Sequence, residues 1–125
     1  MEEERSMTER PDHDVVGAIA GIMRLLSDPT RLRVLRLLLP GEKNVSALCD
    51  RLGLAQPTVS HHLGLLRTAR LVVTRRNGKQ VYYALNPDHF EPCGPGLKLD
   101  HPEVRLWLWP ENMDGSPVPD VAVRV

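Results

Sequence analysis

Residues 51–79 carry Arg51, Arg67, Arg70, Arg75, Arg76 and Lys79 and not one acid. A solvated protein face usually mixes both signs. An all-cationic stretch of this length therefore points to a polyanion, and phosphate is the anion that guanidinium and ammonium groups fit. Within the stretch, Gln56, Thr58, Ser60 and His61 offer compact donors and acceptors at helical spacing. Groups of this kind can read the edges of base pairs. Elsewhere the sign reverses: residues 1–14 hold six acids against two bases, and residues 86–125 hold seven against three. The formal net charge of zero thus hides a local cationic footprint. Phosphate binding follows that footprint rather than the total.

Two further sets of residues carry chemistry. Cys49 and Cys93 are the only thiols, too few for a disulfide scaffold, and they imply a reducing cytoplasm. A lone Cys on a short helix reads as a small buried hydrophobe, whereas His89, Glu91 and Cys93 are a weak set of candidate metal ligands. A redox switch between the two thiols requires an approach that the sequence does not show. The neighbours His61 and His62 point about 100° apart on a helix and cannot chelate one ion together. His61 faces outward with the base-reading groups. His62 sits at the edge of the core stripe, where packing is as good a reading as function.

These groups need a scaffold. The acidic residues 1–12 read as flexible. Val15, Val16, Ile19, Ile22, Met23 and Leu26 recur at helical spacing over residues 13–26. Asp28-Pro29 then restarts the chain as an N-cap followed by the one helical position where no N–H is needed. The next helix has Leu32, Leu35, Leu38 and Leu39 as its expected core face and ends at Pro40-Gly41. A short helix follows over 46–52, capped by Ser46 and closed by Gly53. After three residues comes a helix over 56–68, with Val59, Leu63 and Leu66 inward. Pro57, Ser60, His61, Gly64 and Thr68 lie opposite. That outer face is slim enough for a groove about 12 Å wide. Residues 71–76 and 79–85 read as strands joined at Asn77-Gly78, with both turn residues expected at positive φ. Helix, tight turn, slim helix and basic hairpin together make a helix-turn-helix with a wing. The wing carries Arg75, Arg76 and Lys79 to the phosphate backbone or minor groove.

The fold class expected is α+β, mainly helical: a winged helix-turn-helix with a two-stranded wing, spanning 13–87. Residues 88–110 read as a C-terminal extension with a β-hairpin of strands 97–100 and 104–109, and 111–125 as a flexible tail. The apolar stripe of Val16, Ile19 and Met23 exceeds what so small a body can cover. It predicts a homodimer interface, to which a hairpin bearing Trp107 and Trp109 could add; alternatively the tryptophans cover this domain's own core. No run of eighteen apolar residues predicts a membrane span, and the acidic N-terminus does not read as a secretory signal.

Three segments resemble one family. Leu26-Ser27-Asp28-Pro29-Thr30-Arg31-Leu32-Arg33-Val34-Leu35 is similar to the opening signature of the ArsR/SmtB winged-helix repressors. Leu52 to Leu63, reading LGLAQPTVSHHL, resembles their recognition segment, and Gly78 to Leu85, reading GKQVYYAL, their second wing strand. The resemblance covers about residues 14–87. It implies a bacterial, cytoplasmic homodimer that represses from a palindromic operator and is released by a transition metal or a thiol oxidant. It places base contacts at Gln56, Ser60 and His61, with Thr58 nearby, and Arg67 adds a cation on the same helix.

The chain departs from that pattern. Ala55 stands where the family has a capping Ser, at a cost of about 1 kcal/mol. Arg70 stands where Gly often closes the helix, so a left-handed Arg is expected. The family's Cys-Val-Cys site reads Asn44-Val45-Ser46 here, leaving Cys49 alone, so tight soft-metal binding there is not expected. Its other site needs carboxylates and histidines on a long last helix. Asp88, His89, His101 and Glu103 supply the types, but Pro92, Gly94, Pro95 and Gly96 forbid that helix. No cofactor is implied with certainty. No phosphate-cradling glycine loop, nucleophile elbow or paired-His zinc motif is present, so an enzyme is not expected. The alternative from another class is a winged-helix module that binds protein without DNA, which would not need the cationic stretch.

Overall fold

A computed structural model describes residues 15–93, 96–102 and 104–108. The expectations for the acidic residues 1–12, the start of the first helix, Glu103, Trp109 and the tail fall outside that set.

The first helix, α1, occupies 15–26 and buries Ile22 and Leu26, while Val16 and Met23 stay 64% and 40% exposed. Asp28 caps the second, α2 (Pro29–Leu38): its Oδ1 accepts from the N–H groups of Thr30 at 2.8 Å and Arg31 at 3.1 Å. The core face of α2 includes Leu35 and Leu38, as the spacing anticipated, with Leu39 packed against the cluster and Val34 buried in addition. Leu32 turns out to solvent at 38% exposure, because burial follows Val34 one position off the leucine period. Next come β1 (Lys43–Asn44) and α3 (Val45–Leu52). The cap of α3 is Asn44 rather than Ser46. Asn44 has extended backbone, and its Oδ1 accepts from Ala47 N–H at 2.8 Å. Gly53 closes α3 at φ 66°, as anticipated, a region that favours glycine.

The fourth helix, α4 (Gln56–Thr68), starts at Ala55 without a side-chain cap. It ends on Arg70 at φ 62°. Arg70 N–H donates to Arg67 O at 2.9 Å, and Leu71 N–H to Leu66 O at 2.9 Å. These two bonds form a Schellman closure with Arg in the place usually taken by Gly. The wing strands are β2 (Val72–Asn77) and β3 (Gln80–Leu85), and Asn77 pairs with Gln80. The turn residues are therefore Gly78 and Lys79, not Asn77 and Gly78. Gly78 alone takes positive φ, at 64°, where two such residues were expected. A turn with Gly at its first central position needs no second one. The wing is also not two-stranded, since β1 joins it through Lys43 opposite Tyr83 and Asn44 opposite Tyr82.

The C-terminal hairpin proves to be part of a three-stranded antiparallel sheet: β4 (Phe90–Cys93), β5 (Gly96–His101) and β6 (Val104–Leu108). β4 was missed because Pro92 argues against a strand, yet Pro is tolerated at a sheet edge. Phe90, Leu97 and Leu99 join the same buried cluster as Leu35, Leu48, Leu63 and Leu71. The sheet therefore packs on the helical body's own core.

One buried polar side chain ties these parts together. Asn86 is 8% exposed; its Nδ2 donates to Arg70 O at 2.8 Å and its Oδ1 accepts from Asp88 N–H at 3.0 Å. Its backbone N–H donates to Leu71 O, and its carbonyl accepts from His89 and Phe90. Replacing it by Ala would remove both side-chain bonds and leave the part-buried Arg70 carbonyl without this donor. Asn86→Ala is expected to lower the unfolding free energy by about 1–3 kcal/mol, read as a lower urea midpoint with an unchanged slope. An unchanged midpoint would contradict this role.

Candidate nucleic-acid interface

Val59, Leu63 and Leu66 are fully buried, so α4 is gripped along one face only. Gln56, Thr58, Ser60, His61 and Arg67 are all exposed. Leu65 shares the outer side at 38% exposure and was not anticipated there. Thr68 turns its hydroxyl back to donate to Gly64 O at 2.9 Å, keeping the far end of that face slim.

His62 is half-buried, and its Nδ1 lies 3.2 Å from Arg31 Nη1. This contact ties the middle of α4 to Arg31. Arg31 also donates from Nε to Leu25 O at 2.7 Å and stands 4.0 Å from Asp28. One guanidinium thus links the end of α1, the cap of α2 and the middle of α4. The N–H groups of Arg31 and Thr30, with the Arg31 charge, hold the Asp28 carboxyl below its usual range against a desolvation effect of opposite sign.

Successive strand residues face opposite ways, which separates Arg75 from Arg76. Arg75 pairs across the sheet with Tyr82, and Arg76 with Val81. Arg75 is taken up by Glu42, while no ion pair between described residues involves Arg76 or Lys79. Lys79 and Gln80 of the wing line one cleft of about 460 Å³ with Gln56, Asn44 and Cys49. The wing tip and the start of α4 therefore lie on the same side of the molecule. Sequence reasoning missed Glu42, Asn44, Arg31 and Tyr82. The partners of Arg31, Asn44 and Glu42 lie 31 to 36 residues away, so no local pattern announces them, and Tyr82 meets Arg75 only through the strand register.

The candidate metal residues are arranged differently from the expectation. Among the described residues, no three His, Cys, Asp or Glu side chains gather as a ligand set. The His89 ring lies beside that of His101, with ring centroids 5.4 Å apart, and its Nδ1 lies 3.3 Å from Asp100 O. Cys49 and Cys93 are both half-buried free thiols. Val16 and Met23 of the predicted dimer face are exposed, and Ile19 is half-buried.

Two helices joined by a tight turn, the second open along its outer face and followed by a basic hairpin, define a winged helix-turn-helix transcriptional regulator. Residues 28–74 match the model of the bacterial regulatory proteins of the arsR family. The HTH-type transcriptional regulator KmtR of Mycobacterium tuberculosis is 38% identical over 102 residues, covering 73% of this chain and 78% of KmtR. This chain belongs to the arsR family. The crystal structure of NolR from Sinorhizobium fredii superposes with a TM-score of 0.60 at 35% identity, over 64% of this chain and 80% of NolR. The homodimeric winged helix-turn-helix DNA-binding domain of Mb0332 from Mycobacterium bovis gives 0.59 at 30%, over 64% and 73%.

Asp28 supplies a pH test. Its lowered pKa means that the ionised cap stabilises the fold above the usual carboxylate range, and that this contribution is lost as pH falls through the folded-state value. Asp28→Asn keeps a capping oxygen without the charge. Its melting temperature is expected to fall below the parent's at neutral pH, with the gap closing as acidification passes the ordinary value of 3.8. A gap that stays constant in acid would contradict the charge's role.

Proposed function

We propose that this regulator is a homodimeric repressor that binds a palindromic DNA operator in the cytoplasm and acts by binding rather than by catalysis. In this reading α4 enters the major groove, with Gln56, Thr58, Ser60 and His61 toward base edges and Arg67 toward phosphate. Arg76 and Lys79 extend the grip onto the flanking backbone or minor groove. The observation that carries the reading is the shared cleft: Gln56 at the start of α4 and Lys79 at the wing tip line the same recess. A duplex lying there meets both at once.

The open apolar residues of α1, Val16 and Met23 with Ile19, supply the contact between two copies. A two-fold pair then presents two α4 helices to half-sites about 34 Å apart or a multiple of that. A transition-metal ion or a thiol oxidant is the effector class of this reading, and the half-buried Cys49 lines the same cleft as Gln56.

Genomic fragments recovered with the purified chain supply the operator for the test. On such a fragment, Arg76→Ala and Lys79→Ala are each expected to reduce the slope of log K against log salt by about 1, equally on unrelated DNA. Gln56→Ala and Ser60→Ala are expected to weaken operator binding by about 1–3 kcal/mol with little effect on unrelated DNA. Equal losses on both DNAs from the helix variants would overturn the assignment of α4 as the reading element.

A further inference from the structure

Arg75 is the wing cation whose charge already has a partner. Its Nη2 donates to Glu42 Oε1 at 2.5 Å and its Nε to Glu42 Oε2 at 3.1 Å, a two-pronged fit of guanidinium on carboxylate. The guanidinium carbon lies 4.9 Å from the centre of the Tyr82 ring. Asn44, Tyr82 and Arg75 stand in register across β1, β3 and β2. The Glu42–Arg75 pair therefore spans the full width of the wing sheet, from the connection after α2 to the strand farthest from it. A second tie runs beside it: Asn44 Nδ2 donates to Gln80 Oε1 at 3.2 Å while Asn44 Oδ1 caps α3. The Asn44 tie joins the wing to the first helix of the helix-turn-helix, and the Glu42 tie joins it to the connection that leads into that helix. The hydrogen bond between them lowers the Glu42 pKa and raises that of Arg75, so the pair stays ionised.

We propose that Glu42 is a positioning residue for DNA binding: it holds Arg75 across Tyr82 as a clamp that sets the angle of the wing, and leaves the phosphate contacts to Arg76 and Lys79. This rests on the DNA-binding reading above. A two-stranded ribbon that projects past the short β1 sways unless something braces it, and bracing it before the duplex arrives reduces the ordering cost of binding. The opposite arrangement is also a physical possibility. If Arg75 were itself a phosphate contact, Glu42 would be a competing anion. The two arrangements give opposite signs for the loss of Glu42.

The test compares the full chain with Glu42→Gln, Arg75→Gln, Arg75→Lys and the Glu42→Gln/Arg75→Gln double variant, measuring affinity for a recovered operator fragment over a range of salt. Each single variant is expected to bind about two- to fivefold more weakly, the size of effect an exposed but well-oriented pair gives. The double variant should bind no more weakly than the singles, and all salt slopes should match the parent's. Arg75→Lys keeps the charge without the fork and should behave like Arg75→Gln. Tighter binding by Glu42→Gln, or a slope reduced by about 1 in Arg75→Gln alone, would overturn the proposal. Amide exchange within residues 72–85 gives a readout that needs no DNA. Exchange there should quicken in Glu42→Gln, and parent-like protection would overturn the clamp. If the parent binds no fragment while the exchange result holds, the DNA reading fails and the clamp stands.

Discussion

The grip on a duplex depends on the junction where α4 ends and the wing begins. Arg70 turns the chain in the left-handed region, and the buried amide of Asn86 holds the Arg70 carbonyl from the far end of the wing. The same residue's backbone bonds Leu71 on one side and the approach to β4 on the other. The junction between the slim helix and the basic ribbon is thus tied at its base by one buried, hydrogen-bonded amide. A buried amide of this kind is costly to leave half-bonded, so the junction has few alternative geometries. The departure from glycine at position 70 puts strain at this point, and the Asn86 bond offsets it.

Charge and burial divide the work around that junction. α4 is fixed by three apolar side chains and leaves its polar residues outward. The wing sends alternate cations to opposite faces, so the basic run in the sequence is not a uniform basic surface in space. Glu42, outside the acid-free stretch, finds Arg75 inside it. A zero net charge is compatible with a cationic grip because the acids lie mainly in the chain's two ends.

Local signals were readable in the sequence and long-range ones were not. Asp28-Pro29, Gly53 and the Val59, Leu63, Leu66 stripe each act within a turn or two of helix, and each was placed correctly. Asn77-Gly78 announced a hairpin, but pairing of Asn77 with Gln80 moved the turn by one residue. Ser46 lost the cap to Asn44 because β1 pairs with β3 and brings Asn44 into extended backbone, a tertiary effect with no local trace. Leu32 was assigned inward from leucine spacing alone, whereas the core selected Val34. Pro92 concealed β4, and with it the third strand of the C-terminal sheet. Of the interface, the outward residues of α4 and the wing cations were legible by type. The distinction between Arg75 and Arg76 needed the register and a partner 33 residues away.

The central claim is that α4 reads the major groove. Guanine N7 is exposed only there, so methylation interference on a recovered fragment tests the claim directly. The account expects methylated guanines to block binding in two symmetric clusters about one helical turn apart, or a multiple of it. Full binding to DNA methylated throughout the protected region would contradict it.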